Sequence, residues 1–135
     1  ADVYALGVLL HELLVDDLPH GRRRWREASL GQQLEMIRTR EPARPSALAR
    51  TKELARRLGG DLDWIVLKAL AKDRERRYRT VAELAEDLVR YASNRPVLAG
   101  PPSWSYATRK FARRHRAEVL AAVLVLLSLV GALVY

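Results

Sequence analysis

The chain has 135 residues and a mass of 15.3 kDa, room for one modest domain and an appendage. It contains no cysteine, which excludes a disulfide-stapled scaffold and any thiolate metal site, and His11, His20 and His115 stand in no metal-ligand spacing. Its formal charge of +8 is uneven: residues 1–94 carry 18 basic and 15 acidic side chains, whereas residues 95–116 carry six basic and none acidic.

The run VYALGVLLHELLV, Val3 to Val15, is apolar apart from His11 and Glu12. As a helix it is hydrophobic nearly all round, which calls for burial in protein or lipid. At about 1.5 Å per residue it reaches only about 20 Å, too short for an ordinary membrane crossing, so it predicts a central core helix capped by Asp2. Asp16 to Gly21 is turn chemistry, and Arg22, Arg23, Arg24 and Arg26 around Trp25 read as a solvated loop. Ser29 with Gln32 predicts a capping box for a short helix carrying Leu34, Met36 and Ile37, ended by Glu41 to Ser46.

A further amphipathic stretch places Leu48, Thr51, Leu54, Ala55 and Leu58 on one face and stops at Gly59-Gly60. Asp61 and Asp63 open the next helix, with Leu62, Ile65, Val66, Ala69 and Leu70 along one side. After a charged loop from Lys72 to Arg79, Thr80 and Glu83 predict a second capping box. Val81, Leu84, Ala85, Leu88 and Tyr91 then form the buried stripe of a helix ending near Asn94. No alternating strand and no fixed-period repeat interrupts this series, so the fold class is all-α.

Arg95 to Ser103 holds three prolines and a glycine and reads as a linker leaving the globular part. A basic helix follows, with Trp104, Tyr106 and Phe111 suited to a lipid headgroup layer, and then Val119 to Tyr135, 17 residues without a charge. The predicted organisation is therefore residues 1–94, a Pro-rich then basic juxtamembrane segment at 95–116, and one transmembrane helix at 117–135.

By the positive-inside rule the basic run places residues 1–116 on the cytoplasmic side of a single-pass cell-membrane protein. Membrane lipid is then a partner, with Arg109, Lys110, Arg113, Arg114 and Arg116 as headgroup contacts worth about 1 kcal/mol each near the surface. The sequence pI of 10.4 raises nucleic acid as a partner, but interspersed acidic groups and the lack of a recognition-helix pattern argue against it. Ser128 and Ala132, four apart, would let two apolar helices approach closely in a dimer.

The order of these features resembles the end of the larger, mostly helical lobe of bacterial serine/threonine protein kinases. The resemblance rests on Asp2 to Leu14, on Leu18-Pro19, on Gly60 to Leu70, on Lys72-Asp73 with Arg77, and on Thr80 to Tyr91, and covers about residues 1 to 94. It implies that Asp2 supports the catalytic loop, that Leu9 and Leu13 support the hydrophobic spine below the nucleotide, and that Glu12 contacts basic substrate side chains. It also implies that Arg77 pairs with a glutamate closing the activation segment, a residue that would precede Ala1. Arg74 stands where a proline is common and His20 where a phenylalanine is usual.

Phosphoryl transfer needs a glycine-rich loop, a phosphate-binding lysine, a catalytic aspartate and magnesium ligands, and this sequence has no GxGxxG, VAIK-like, HRD or DFG motif. The chain by itself is expected to bind no cofactor and to be inactive, as an internal piece open at both ends. ATP and magnesium are implied for the parent, whose partners would be protein substrates and the missing N-terminal part of the kinase domain. The other reading is a catalytically inactive helical docking module anchored at the membrane.

Overall fold

The computed structural model describes residues 2–134; Ala1 and Tyr135, the last residue of the predicted span, lie outside it. The described residues form helices without strands: α1 (Asp2–Val15), α2 (Arg22–Glu27), α3 (Leu30–Thr39), α4 (Pro45–Leu48), α5 (Lys52–Leu58), α6 (Asp61–Ala69), a 3-10 turn (Arg74–Arg76), α7 (Val81–Ala92), α8 (Trp104–Arg114) and α9 (Arg116–Val134).

Helix α1 packs on α6 through residues spaced by four, Val3, Gly7, His11 and Val15, all buried. A Cβ built on Gly7 would stand 2.9 Å from the Ala69 methyl, so only glycine lets the two backbones come this close. His11 is wholly buried, with Nδ1 2.8 Å from the Asp17 carbonyl and Nε2 3.1 Å from the Ala43 carbonyl, which holds the loops after α1 and α3 against the helix. The opposite face is not covered as the all-round apolar pattern predicts: Leu9 is 54% and Leu13 83% exposed.

The arginine-rich run is a helix, α2, instead of the solvated loop read from composition. Its first amide donates to the Asp17 carboxylate at 2.7 Å, Arg22 donates to Glu12 at 2.7 Å, and Arg23 pairs with Glu27 one turn on. Burial pushes the His20 imidazole below its ordinary range, and the Lys72 and Arg40 charges push the same way. The capping box of α3 forms in both directions between Ser29 and Gln32.

The predicted stretch over Leu48 to Leu58 is two short helices, because Thr51 leaves the apolar face to accept the Leu54 amide as the cap of α5. Gly60 takes φ +91 between α5 and α6, so the glycine pair stops one helix and starts the next. Asp63 does not cap α6 in solvent; it is buried and accepts the Ser46 amide at 2.9 Å and hydroxyl at 2.5 Å, tying α4 to α6.

Thr80 caps α7 by accepting the Glu83 amide, while the Glu83 carboxylate takes the Arg79 amide, one residue earlier than a full box requires. In α7 itself Leu84 is buried, but Val81 and Ala85 face outward, which narrows the predicted stripe. Val3, Ile65, Ala69, Tyr78, Leu84, Val97 and Tyr106 make one core, and Val15, Leu58 and Leu62 a second. Two members of the first core lie beyond residue 94: Val97 comes from the segment read as a departing linker, and Tyr106 from the basic helix after it.

Candidate functional site: a basic helix docked ahead of an apolar one

Two buried aspartates organise the junction between the helical body and the basic segment. Asp87 of α7 has no exposed surface and accepts three hydrogen bonds, from the Tyr78 hydroxyl at 2.6 Å and from the amides of Leu98 and Ala99 at 2.6 and 2.9 Å. A buried carboxylate is tolerable only with such donors, and these fix the proline-rich segment as a strap across α7. The segment therefore does not leave the body, contrary to the reading of its prolines as a free linker.

Asp61, at the start of α6, accepts the Tyr106 hydroxyl at 2.9 Å and forms an ion pair with Lys110. The same hydroxyl oxygen accepts the Val97 amide at 3.0 Å, so one phenol joins α6, the strap and α8. Trp64 meets the Tyr106 ring edge-on at 5.5 Å, and the Lys110 ammonium lies 5.8 Å from the Tyr91 ring centre. A Cβ on Gly100 would stand 3.1 Å from the Tyr106 ring and 3.2 Å from the Trp64 ring, so this glycine lets the strap close over them.

Burial pushes the Tyr106 phenol up to about 12; donation to Asp61 adds to the rise and the Val97 amide opposes it. Burial, and then the bond to Asp87, push the Tyr78 phenol far above its ordinary range as well. Both tyrosines stay protonated donors through the physiological range.

The headgroup assignments of the basic run divide accordingly. Lys110 is only 7% exposed and turned inward onto Asp61, and Tyr106 is buried beside it, so neither faces a headgroup layer. Both have long apolar bodies with a polar tip, which suits a protein groove as well as a lipid surface. Trp104, Phe111, Arg109, Arg113, Arg114 and Arg116 remain exposed. Arg114 lies 5.8 Å from the Phe111 ring centre, and His115 is 3.0 Å from the Glu118 carboxylate. One helix beyond, α9 is long and apolar enough over Arg116–Leu133 to cross a membrane, and none of that window is buried against the body.

The other predicted site residues lie elsewhere. Asp2, exposed at the start of α1, and Arg77 line one shallow cavity of about 250 Å³ with Arg74 and Tyr78. Arg77 donates to the Ala71 carbonyl at 3.0 and 2.7 Å and lies 5.2 Å from the Tyr4 ring centre. Glu12 is engaged by Arg22, and Leu9 and Leu13 share the uncovered face of α1. Asp87 was overlooked in the sequence although a signal existed: it falls three residues after Leu84 and four before Tyr91, on the apolar stripe.

No family model matches the sequence. Curated relatives do: serine/threonine-protein kinase PknB of Mycobacterium tuberculosis is 38% identical over 96 residues, 71% of this chain and 14% of the relative. PknB of Mycobacterium leprae is 35% identical over 96 residues, and serine/threonine-protein kinase PknD of Chlamydia caviae is 30% identical over 104 residues, 77% of this chain and 9% of the relative. The chain belongs with the bacterial serine/threonine protein kinases as a kinase-derived segment. It spans about one seventh or less of the length of these relatives.

Proposed function

We propose that this chain is the end of the catalytic domain of a membrane-anchored serine/threonine protein kinase, together with the helix that anchors it. The observation that carries the reading is the junction: a helical body related to kinases grips a basic helix through Asp61 and Asp87, and an uncovered apolar helix follows directly. Residues 1–116 then lie on the cytoplasmic side, with arginines at the entry to the bilayer.

Within the whole kinase, Asp2 supports the catalytic loop, the uncovered Leu9 and Leu13 receive the preceding part of the lobe, and Arg77 takes the carboxylate that closes the activation segment. Glu12, held by Arg22, offers basic protein substrates a carboxylate once that exposed pair opens. The whole protein transfers phosphate from ATP to serine or threonine of protein substrates. Neither buried aspartate is open to magnesium-bound ATP, because Asp61 and Asp87 are taken up by Lys110, two tyrosines and backbone amides.

An antibody to residues 22–40, applied to fractionated cells that make the protein, tests this. The expected result is a carbonate-resistant membrane band far above 15.3 kDa whose immunoprecipitate phosphorylates a protein substrate. A membrane band near 15.3 kDa without kinase activity would replace the kinase with an anchored docking module, and a soluble band would remove the anchor.

A further inference from the structure

A cleft of about 620 Å³ opens where α5, the start of α6 and α8 meet. Arg56 and Arg57 of α5 and Arg109 and Arg113 of α8 line it, and Trp64 and Tyr91 contribute aromatic surface. The cleft has five cations, the fifth being Lys110, against two carboxylates, Glu53 and Asp61. Lys110 and Asp61 neutralise each other in the interior. Glu53 is shared by two guanidiniums, Arg56 at 3.0 Å and Arg57 at 3.1 Å, and so balances only one. Neither Arg109 nor Arg113 has an acidic partner among the described residues. The excess is therefore concentrated on exposed side chains that line the cleft from two different helices.

Guanidinium groups offer paired N–H donors matched to phosphate oxygens, and a concave, like-charged surface concentrates anions more than isolated surface charges do. We propose that this cleft binds a phosphate group, clamped between Arg109 and Arg113 of α8 and Arg56 and Arg57 of α5. Its position favours an anionic membrane lipid as the source. Arg113 precedes the uncharged run of α9 by only six residues, which keeps it near headgroup depth if α9 spans the bilayer. That source, though not the cleft's phosphate chemistry, rests on the membrane reading given above. The site also sorts the basic run: two of its arginines act with two from the body, and the lysine between them serves the fold instead.

The test uses the full chain in nanodiscs of phosphatidylcholine, with and without phosphatidic acid, and reads thermal unfolding of the helical body. Phosphatidic acid should raise the melting temperature by several degrees. Arg109→Gln with Arg113→Gln, and separately Arg56→Gln with Arg57→Gln, should remove the rise, whereas Arg24→Gln with Arg26→Gln, exposed on α2 and outside the cleft, should keep it. In a second arm inorganic phosphate is titrated onto the chain in phosphatidylcholine discs. A rise seen only there, and lost in the same cleft variants, would retain the site and assign it to soluble phosphate. No rise in either arm, or equal loss in the cleft and control variants, would overturn the proposal. Protease protection of α9 in the same discs reads the membrane span separately; if α9 is unprotected the anchor fails while the phosphate arm still decides the cleft.

Discussion

Helices α8 and α9 follow one another with only His115 between them, yet they are held by opposite means. Helix α8 is mostly polar and is fixed to the body by a few buried, directional contacts around Tyr106 and Lys110. Helix α9 is almost wholly apolar, and none of its apolar window is buried against the body. Apolar composition selects a medium, whereas a position within a fold is specified by polar groups that have one partner arrangement each.

The sharpest way to break this contrast is to remove the polar side. Asp87→Ala strands a buried phenol and two strap amides, and should lower stability by about 3–5 kcal/mol, measured by denaturant unfolding. Lys110→Met leaves Asp61 charged and buried, with a loss of about 3 kcal/mol; adding Asp61→Asn should recover most of it, and a double-mutant cycle without coupling would disprove the pair.

On the apolar side, Leu126→Arg at the middle of α9 should leave the body's melting unchanged but cost about 2.5–3.5 kcal/mol of membrane insertion, read by a glycosylation reporter.

Tyr106→Phe removes a donor to Asp61 and an acceptor for Val97, for about 1–3 kcal/mol. Because folding raises the phenol to about 12, its contribution is complete below the ordinary tyrosine value and fades as pH climbs from about 10 to 12. The wild type should therefore lose stability in that window more steeply than the phenylalanine variant. Leu13→Ser, on a face the body leaves open, should change stability of this chain by less than about 0.5 kcal/mol. A large loss there would mean that α1 is covered.

What was legible in the sequence was local. Ser29 with Gln32, Thr80 before α7 and the Gly59-Gly60 stop act within a turn of their own backbone, so spacing alone reveals them. Helix α2 was missed because its support comes from Asp17 and Glu12 instead of an apolar period. The strap was missed because prolines announce irregular backbone without saying where it lies, and its donors are answered by Asp87 eleven and twelve residues away. The kinase resemblance was carried by motif order, which the curated relatives support. The grouping of Arg56 and Arg57 with Arg109 and Arg113 needed the fold, since about fifty residues separate the pairs.

Eleven residues join α7 to α8, but the strap is pinned near its middle, at Val97, Leu98 and Ala99. The four residues from Gly100 to Ser103 are all the free tether left before α8, a reach of about 14 Å when fully extended. A tug on α9 that frees α8 takes up that slack and then loads the Asp87 bonds directly. Beyond that short slack, displacement at the apolar end is delivered to α7 instead of being absorbed in a long hinge.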